Sequence, residues 1–205
     1  MTETITEQAT KVRPWAAVIA MLVGFFMLMV DANIVSVANP SLQATLGATL
    51  TQTIWVTSAY LLGLVAPLLL AGRLGDRYGQ KTLFILGMSV FTLASLACGL
   101  STTIEMLILA RAIQGFGAAL MTPQTQAMIV RIFPPDRRGA AIGLWGSVAG
   151  LGVLTGPILG GFLVQSAGWQ AIFLINVPVG VVGVILAWRL LPTLPRLKVS
   201  FDWIG

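Results

Sequence analysis

Two ionisable residues, Asp31 and Arg111, stand inside long apolar stretches, where few side chains could do acid–base chemistry. A carboxylate can take up and release a proton. A guanidinium keeps its proton and can hold or tune such a carboxylate. Two amides lie close in sequence: Asn33 two residues from Asp31, and Gln114 one helical turn from Arg111 and on roughly its face. Other chemistries lack their residues. The chain has no His and a single cysteine, Cys98, so it holds no Cys/His metal site, no internal disulfide and no His relay. Cys98 reads as a small apolar filler. No nucleophile–base pair can be assembled without His, and no phosphate-cradling loop with a Lys is present, which argues against an enzyme.

The elements that must position Asp31 and Arg111 are apolar runs. Uncharged stretches cover residues 14–30, 32–72, 82–104, 112–130 and 139–188. The chain is 57% hydrophobic and 9% charged, with mean hydropathy +0.90, against about 25% charged for a soluble domain. About 20 apolar residues cross a bilayer as a helix. Six spans are expected, at about 15–38, 53–71, 82–100, 104–131, 139–165 and 171–191. The run 32–72 is divided by Asn39-Pro40-Ser41 and Gln43 to Gln52, and the run 139–188 by Ser166 to Gln170. Pro123 is expected to kink the fourth span rather than end it. The first apolar run shows no cleavage site and reads as a retained helix.

Orientation follows from the basic residues. Of twelve Lys and Arg, eleven fall at alternate span ends: Lys11 and Arg13; Arg73, Arg77 and Lys81; Arg131, Arg137 and Arg138; Arg189, Arg196 and Lys198. The positive-inside rule puts these ends, and the N-terminus, in the cytoplasm. The net charge of +5 is explained by topology and not by nucleic acid. Trp15, Trp55, Trp169 and Trp188 fall near expected interfaces. The organisation is a tail over residues 1–13, a six-helix membrane domain over 14–191, and a cytoplasmic linker over 192–205 that leads toward a second half.

The chain repeats itself at a shift of 89 residues: Gly63 meets Gly152, Gly72 meets Gly161, Leu74 meets Leu163, and Gly79 meets Gly168. An odd number of spans separates the copies, so they insert in opposite senses. The charges of the first copy, Arg73, Asp76, Arg77 and Lys81, become Phe162, Gln165, Ser166 and Gln170 in the second. That is the pattern of a three-plus-three inverted repeat in an all-α membrane protein.

Four segments then resemble one family in order and spacing. Gly72-Arg-Leu-Gly-Asp76-Arg77-Tyr-Gly79-Gln-Lys81 resembles the loop signature of the major facilitator superfamily. Arg111-Ala-Ile-Gln114-Gly115-Phe-Gly117 resembles its fourth-helix motif. Gly152-Val-Leu-Thr-Gly156-Pro157-Ile-Leu-Gly160-Gly161 resembles its antiporter motif. Asp31-Ala-Asn33 to Asn39-Pro40 resembles the first-helix motif of the 14-helix drug:proton antiporters of the EmrB/QacA type, with Asn33, Ser36 and Asn39 where Thr, Asn and Leu are usual. Gln80 stands where a basic residue is common. The resemblance implies an N-terminal six-helix half of a plasma-membrane exporter of lipophilic compounds. It would be driven by the proton gradient without any cofactor, with protons, membrane lipids and a second six-helix half as partners.

Each motif carries a physical reading beside a plainer one. Asp31 is nine residues, or ~13 Å of helix rise, from Pro40, and Arg111 is seven residues, or ~10 Å, from Ile104. An Asp31–Arg111 pair, direct or through water in a shared wet pocket, is therefore expected. Burial disfavours a carboxylate's charge and a guanidinium favours it, so such a site can load and release a proton; the plainer reading is a static ion pair. Asn33 and Gln114 are expected to line the substrate cavity. Gly72, Asp76, Arg77, Gly79 and Lys81 read as a conformational latch, with the paired glycines in a tight turn, or as simple positive-inside anchoring. Gly152, Gly156, Pro157, Gly160 and Gly161 read as a hinge sealed against proton leak, or as ordinary packing, together with Gly139/Gly143 and Gly146/Gly150 at the same spacing. Two further function classes stay open: a metabolite facilitator of the same fold, and a non-transporting six-helix module.

Overall fold

The computed structural model describes residues 13–195. The expected tail over residues 1–12, with Lys11, and the linker residues 196–205, with Arg196 and Lys198, lie outside them. Among the described residues the regular elements are all helices, eight in number: α1 Pro14–Leu46, α2 Leu50–Val65, α3 Leu68–Tyr78, α4 Gln80–Gly99, α5 Ile104–Ile132, α6 Pro135–Ala167, α7 Ala171–Leu174 and α8 Asn176–Leu190. Five segments are long and apolar enough to cross a membrane singly, with α7 and α8 counted as one; α2 and α3 together make a sixth.

Local chemistry sets the boundaries. Pro14 opens α1, where a missing N–H costs nothing. The helix does not stop at Pro40, as the sequence suggests, but runs on to Leu46. A proline in a membrane helix is tolerated when neighbours satisfy the freed backbone. The turn comes at Gly47, in the left-handed region at φ 63°, and a Thr49–Gln52 capping box starts α2. The second span is broken instead. Pro67 follows Ala66, and α2 and α3 are bent by 42° there. Pro123 lies within an uninterrupted α5, and Pro157 within α6.

The repeat is visible in the backbone. Gly79 links α3 to α4 at φ 98°, and Gly168 ends α6 at φ 82°. These are the two positions paired by the 89-residue shift, and both need a backbone that side chains disfavour. Gly63 and Gly152 are also paired. A Cβ on Gly63 would strike the Ala112 carbonyl of α5; a Cβ on Gly152 would come within 2.5 Å of Met29 Cβ on α1. So the second span packs on the fourth as the fifth packs on the first. The helix pairings follow the same exchange: α2 and α4 lie against α5, α6 and α8 lie against α1, and α4 meets α8.

The core forms two large apolar layers and a small third cluster of Ala71, Leu83 and Leu120. One layer gathers Met21, Phe25, Phe84, Met88, Phe91 and Met121; the other gathers Ile34, Leu42, Val56, Leu107, Ile172 and Phe173. Phe25 stacks on Trp145 with centroids 4.6 Å apart, tying α1 to α6. Trp15, Trp55 and Trp188 are exposed, as interface residues would be, but Trp169 is buried against Phe173.

Candidate functional site

A polar cluster sits in this apolar core, built from α1, α2, α4, α5 and α8. By helical rise Asp31 lies ~27 Å along α1 from Arg13, and Arg111 lies ~30 Å along α5 from Arg131, so the two meet at one level. The Arg111 Nη1 donates to Asp31 Oδ2 at 2.5 Å and to Gln114 Oε1 at 2.7 Å. That second bond fixes the Gln114 amide. Its Nε2 then points at Asp31 Oδ1 (3.0 Å) and Ser95 Oγ (3.1 Å). Asn176, the first residue of α8, donates to the same two oxygens at 2.8 and 3.0 Å. Ser95 Oγ donates in turn to the Phe173 carbonyl at 2.9 Å. The hydroxyl is thereby saturated, with one bond donated and two accepted.

The Asp31 carboxylate thus accepts from three side chains, all N–H donors, which is the partner set of an ionised acid. Arg111 has a second set of neighbours. Its Nε donates to the Val56 carbonyl at 3.3 Å, and its guanidinium rests 4.2 Å over the Tyr60 ring and 5.7 Å from the Phe173 ring. Its Nη2 is buried and makes no hydrogen bond. Asp31, Arg111, Gln114 and Ser95 are fully enclosed. The pair is direct, and the half's own helices close over it.

The remaining expected residues divide. Asn33 does not join the cluster. Residues two apart on a helix point to different faces, and the Asn33 amide turns back onto the Met29 carbonyl at 2.7 Å while its Cβ faces Gly156 of α6. Neither Ser95 nor Asn176 lies in a motif that singles it out in the sequence. The available signal was depth, since both lie near the same level as Asp31, although α4 also carries Ser89 and Thr92. Cys98 is more than filler, since its Sγ lies 3.6 Å from Gln114 Oε1.

In α6 the glycines fall into two groups. Gly152, Gly156 and Gly160 press on Met29, Asn33 and Ile34 of α1, and a Cβ on Gly156 would lie 2.9 Å from Asn33 Cβ and 3.1 Å from the Val30 carbonyl. A Cβ added at Gly139, Gly143, Gly146, Gly150 or Gly161 would meet no other helix within 4 Å, so equal spacing does not make them packing glycines. Pro157 is exposed within α6 beside Gly156.

At the basic end of the bundle, Asp76 Oδ1 accepts from Gln80 Nε2 at 3.2 Å. Gln80 Oε1 accepts from Arg131 Nη1 at 2.8 Å, and Arg131 Nη2 donates to the Pro195 carbonyl at 2.7 Å. The neutral Gln80 therefore bridges an acid to a base. Lys81 Nζ donates to the Trp188 and Leu191 carbonyls at 2.8 and 2.7 Å, closing the C-terminus of α8. Arg77 is exposed, 5.4 Å from the Tyr78 ring. Gly72 lies in the middle of α3 and not in a turn; only Gly79 turns the chain. Among the described residues no cluster of His, Cys, Asp or Glu could hold a metal ion.

Residues 21–202 match the family model described as Major Facilitator Superfamily. An uncharacterised MFS-type transporter of Mycobacterium tuberculosis is 56% identical over 94% of this chain and 33% of its own length. The tetracenomycin C resistance and export protein of Streptomyces glaucescens is 40% identical over 94% of this chain and 36% of its own. The riboflavin transporter RibZ of Clostridioides difficile is 36% identical over 93% and 42%. The chain thus spans about a third of the length of such relatives. In fold it matches the proton:xylose symporter XylE with a TM-score of 0.78 at 14% identity, over 88% of this chain and 45% of that one.

Proposed function

The chain belongs to the Major Facilitator Superfamily, and from that premise we propose that it is the N-terminal half of a proton-coupled exporter of lipophilic small molecules. Asp31 is its proton carrier and Arg111 the carrier's partner. The whole transporter adds a second six-helix half and lies in the plasma membrane with its basic ends in the cytoplasm. The relatives that export tetracenomycin C and transport riboflavin support transport of a small molecule; the positive-inside rule supports the orientation.

One observation carries the coupling: a fully enclosed carboxylate in a membrane bundle, met only by N–H donors from α5 and α8. Buried ionisable groups in membranes are costly and mark ion pathways. Protonation would turn one Asp31 oxygen into a donor facing donors. The amide of Gln114 or Asn176 must then withdraw, and each is carried by a different span. Arg111 is not stranded, because it keeps Gln114 Oε1, the Val56 carbonyl and the Tyr60 ring. Proton loading thereby favours a different arrangement of α1, α5 and α8, and a shift in that equilibrium is alternating access.

The loop residues Gly72, Asp76, Arg77, Gly79 and Lys81 act in this reading as the latch of the basic end, with Gln80 as its bridge. Gly152, Gly156, Pro157, Gly160 and Gly161 form the segment of α6 whose packing side closes on α1, and Asn33 faces that seam. No cofactor is needed, since the proton gradient supplies the energy. A second reading, a metabolite carrier, is favoured by the riboflavin relative. The test is the full-length protein in proteoliposomes under an imposed pH gradient, with a panel of lipophilic cations, neutral polycycles and riboflavin. The exporter reading expects uphill movement of lipophilic compounds with protons moving the other way. Transport confined to riboflavin would favour the second reading, and transport unaffected by the gradient would end the coupling.

A further inference from the structure

On the outer seam of α4 and α8, Gly180 and Gly183 let the α8 backbone close on Thr92 and Met88. Beside that contact the helices part around a groove of about 320 Å³, lined by Ser89, Thr92, Leu93, Val181, Val184 and Ile185. Its two hydroxyls are already spent. Ser89 Oγ donates to the Ile85 carbonyl at 2.9 Å, and Thr92 Oγ1 to the Met88 carbonyl at 2.7 Å. The walls therefore offer methyl and methylene groups with no polar atom seeking a partner. A polar ligand would lose its hydration there for nothing, and a hydrocarbon chain would not.

The ends of the same seam are charged on one side only. Trp188 and Arg189 stand three and four residues after Ile185, on its face of α8 and ~6 Å nearer the basic end. Both are exposed. Lys81 reaches across from α4 to the last carbonyls of α8, so its ammonium lies on the seam as well. A hydrocarbon groove is thus followed, in the direction of the membrane surface, by an amphipathic ring and two cations. That sequence of chemistries matches one molecule end to end: acyl chain, interfacial ester region, phosphate.

We propose that this seam binds one anionic glycerophospholipid, with an acyl segment in the groove and its phosphate at Arg189 and Lys81. The site lies on the bundle's outside and is independent of what the transporter moves.

Native mass spectrometry of the full-length transporter tests it, using phosphatidylglycerol and phosphatidylcholine with identical acyl chains at equal concentration. Wild type should retain phosphatidylglycerol at least about fivefold over phosphatidylcholine. Arg189→Gln should lower that preference about fivefold, the effect expected of one basic residue near an anionic surface, and Arg189→Lys should keep it. Val184→Phe, which fills the groove, should lower retention of both lipids and leave their ratio unchanged. Equal retention of the two lipids by wild type, or a preference untouched by Arg189→Gln, overturns the proposal. So does the absence of any retained lipid, the result expected if the second half covered the seam. Arg189 is exposed, so its variants decide the question even if Val184→Phe fails to fold.

Discussion

The chain carries two networks of polar side chains, one in the apolar core and one at the basic end, and they are built on opposite terms. In the core every member is enclosed, and Asp31, Ser95, Arg111, Gln114 and Asn176 share eight short contacts among themselves and two backbone carbonyls. At the basic end Asp76, Gln80 and Arg131 form a chain that ends on the Pro195 carbonyl, while Lys81 separately holds two carbonyls of the α8 terminus; Gln80 is buried, and Asp76, Lys81 and Arg131 are half-buried. The difference teaches where a charge is structural and where it is adjustable. A buried carboxylate depends on all its partners at once, so its protonation is felt by three spans. A network whose charged members are half-exposed loses one link at a time.

The largest break in this comparison should come from Arg111→Ala. It leaves the Asp31 charge buried without its counter-ion, a loss of about 3–5 kcal/mol for such pairs. Thermal unfolding in detergent should show this as a large drop in melting temperature, and the double variant Arg111→Ala/Asp31→Ala should recover part of it. No recovery would mean that the two residues act separately.

Gly156→Val should come next. Its side chain enters the Asn33 and Val30 backbone region of α1, and overpacking of this kind costs about 1–3 kcal/mol. Gly143→Val on the same helix meets nothing and should melt within a few degrees of wild type. Equal effects at the two glycines would contradict the division of α6 into a packing side and an open side.

The smallest effect belongs to the basic end. Gln80→Ala removes both the Asp76 and the Arg131 links and should cost about 1 kcal/mol, an ordinary net hydrogen-bond contribution. Gln80→Arg would put a cation beside Arg131 in place of the neutral bridge. It should lower the melting temperature further than Gln80→Ala, and a rise would show that the bridge is not tuned for a neutral side chain.

Much of this was legible in the sequence, for stated physical reasons. Uncharged runs divided by basic residues gave the spans, because the bilayer penalises charge and nothing local competes with that. The Asp31–Arg111 meeting could be read from depth along two helices. The Gly79 and Gly168 correspondence was visible because a positive φ leaves few residues to choose from. Other features depend on neighbours. Pro40 lies between Asn39 and Ser41 and reads as a stop, and Pro67 lies inside the apolar second span, yet α1 runs through the first and the second span breaks at the other. Asn33 is near Asp31 in sequence and a different face away in space. The glycine spacing of α6 repeats from Gly139 to Gly160, but only where α1 lies against it does the spacing mean contact. Ser95 has no motif around it and gains its place only when α4, α5 and α8 converge.

Proton coupling requires Asp31 to exchange its proton as the helices move, and one variant separates that from a structural role. Asp31→Asn keeps an oxygen for Arg111 and a similar volume, so the bundle should assemble. The full-length variant, in proteoliposomes loaded with a substrate of the wild-type protein, should still exchange labelled for unlabelled substrate. It should no longer drive that substrate uphill or move protons when a pH gradient is imposed. Uphill, proton-linked transport at wild-type rate by Asp31→Asn would contradict the account.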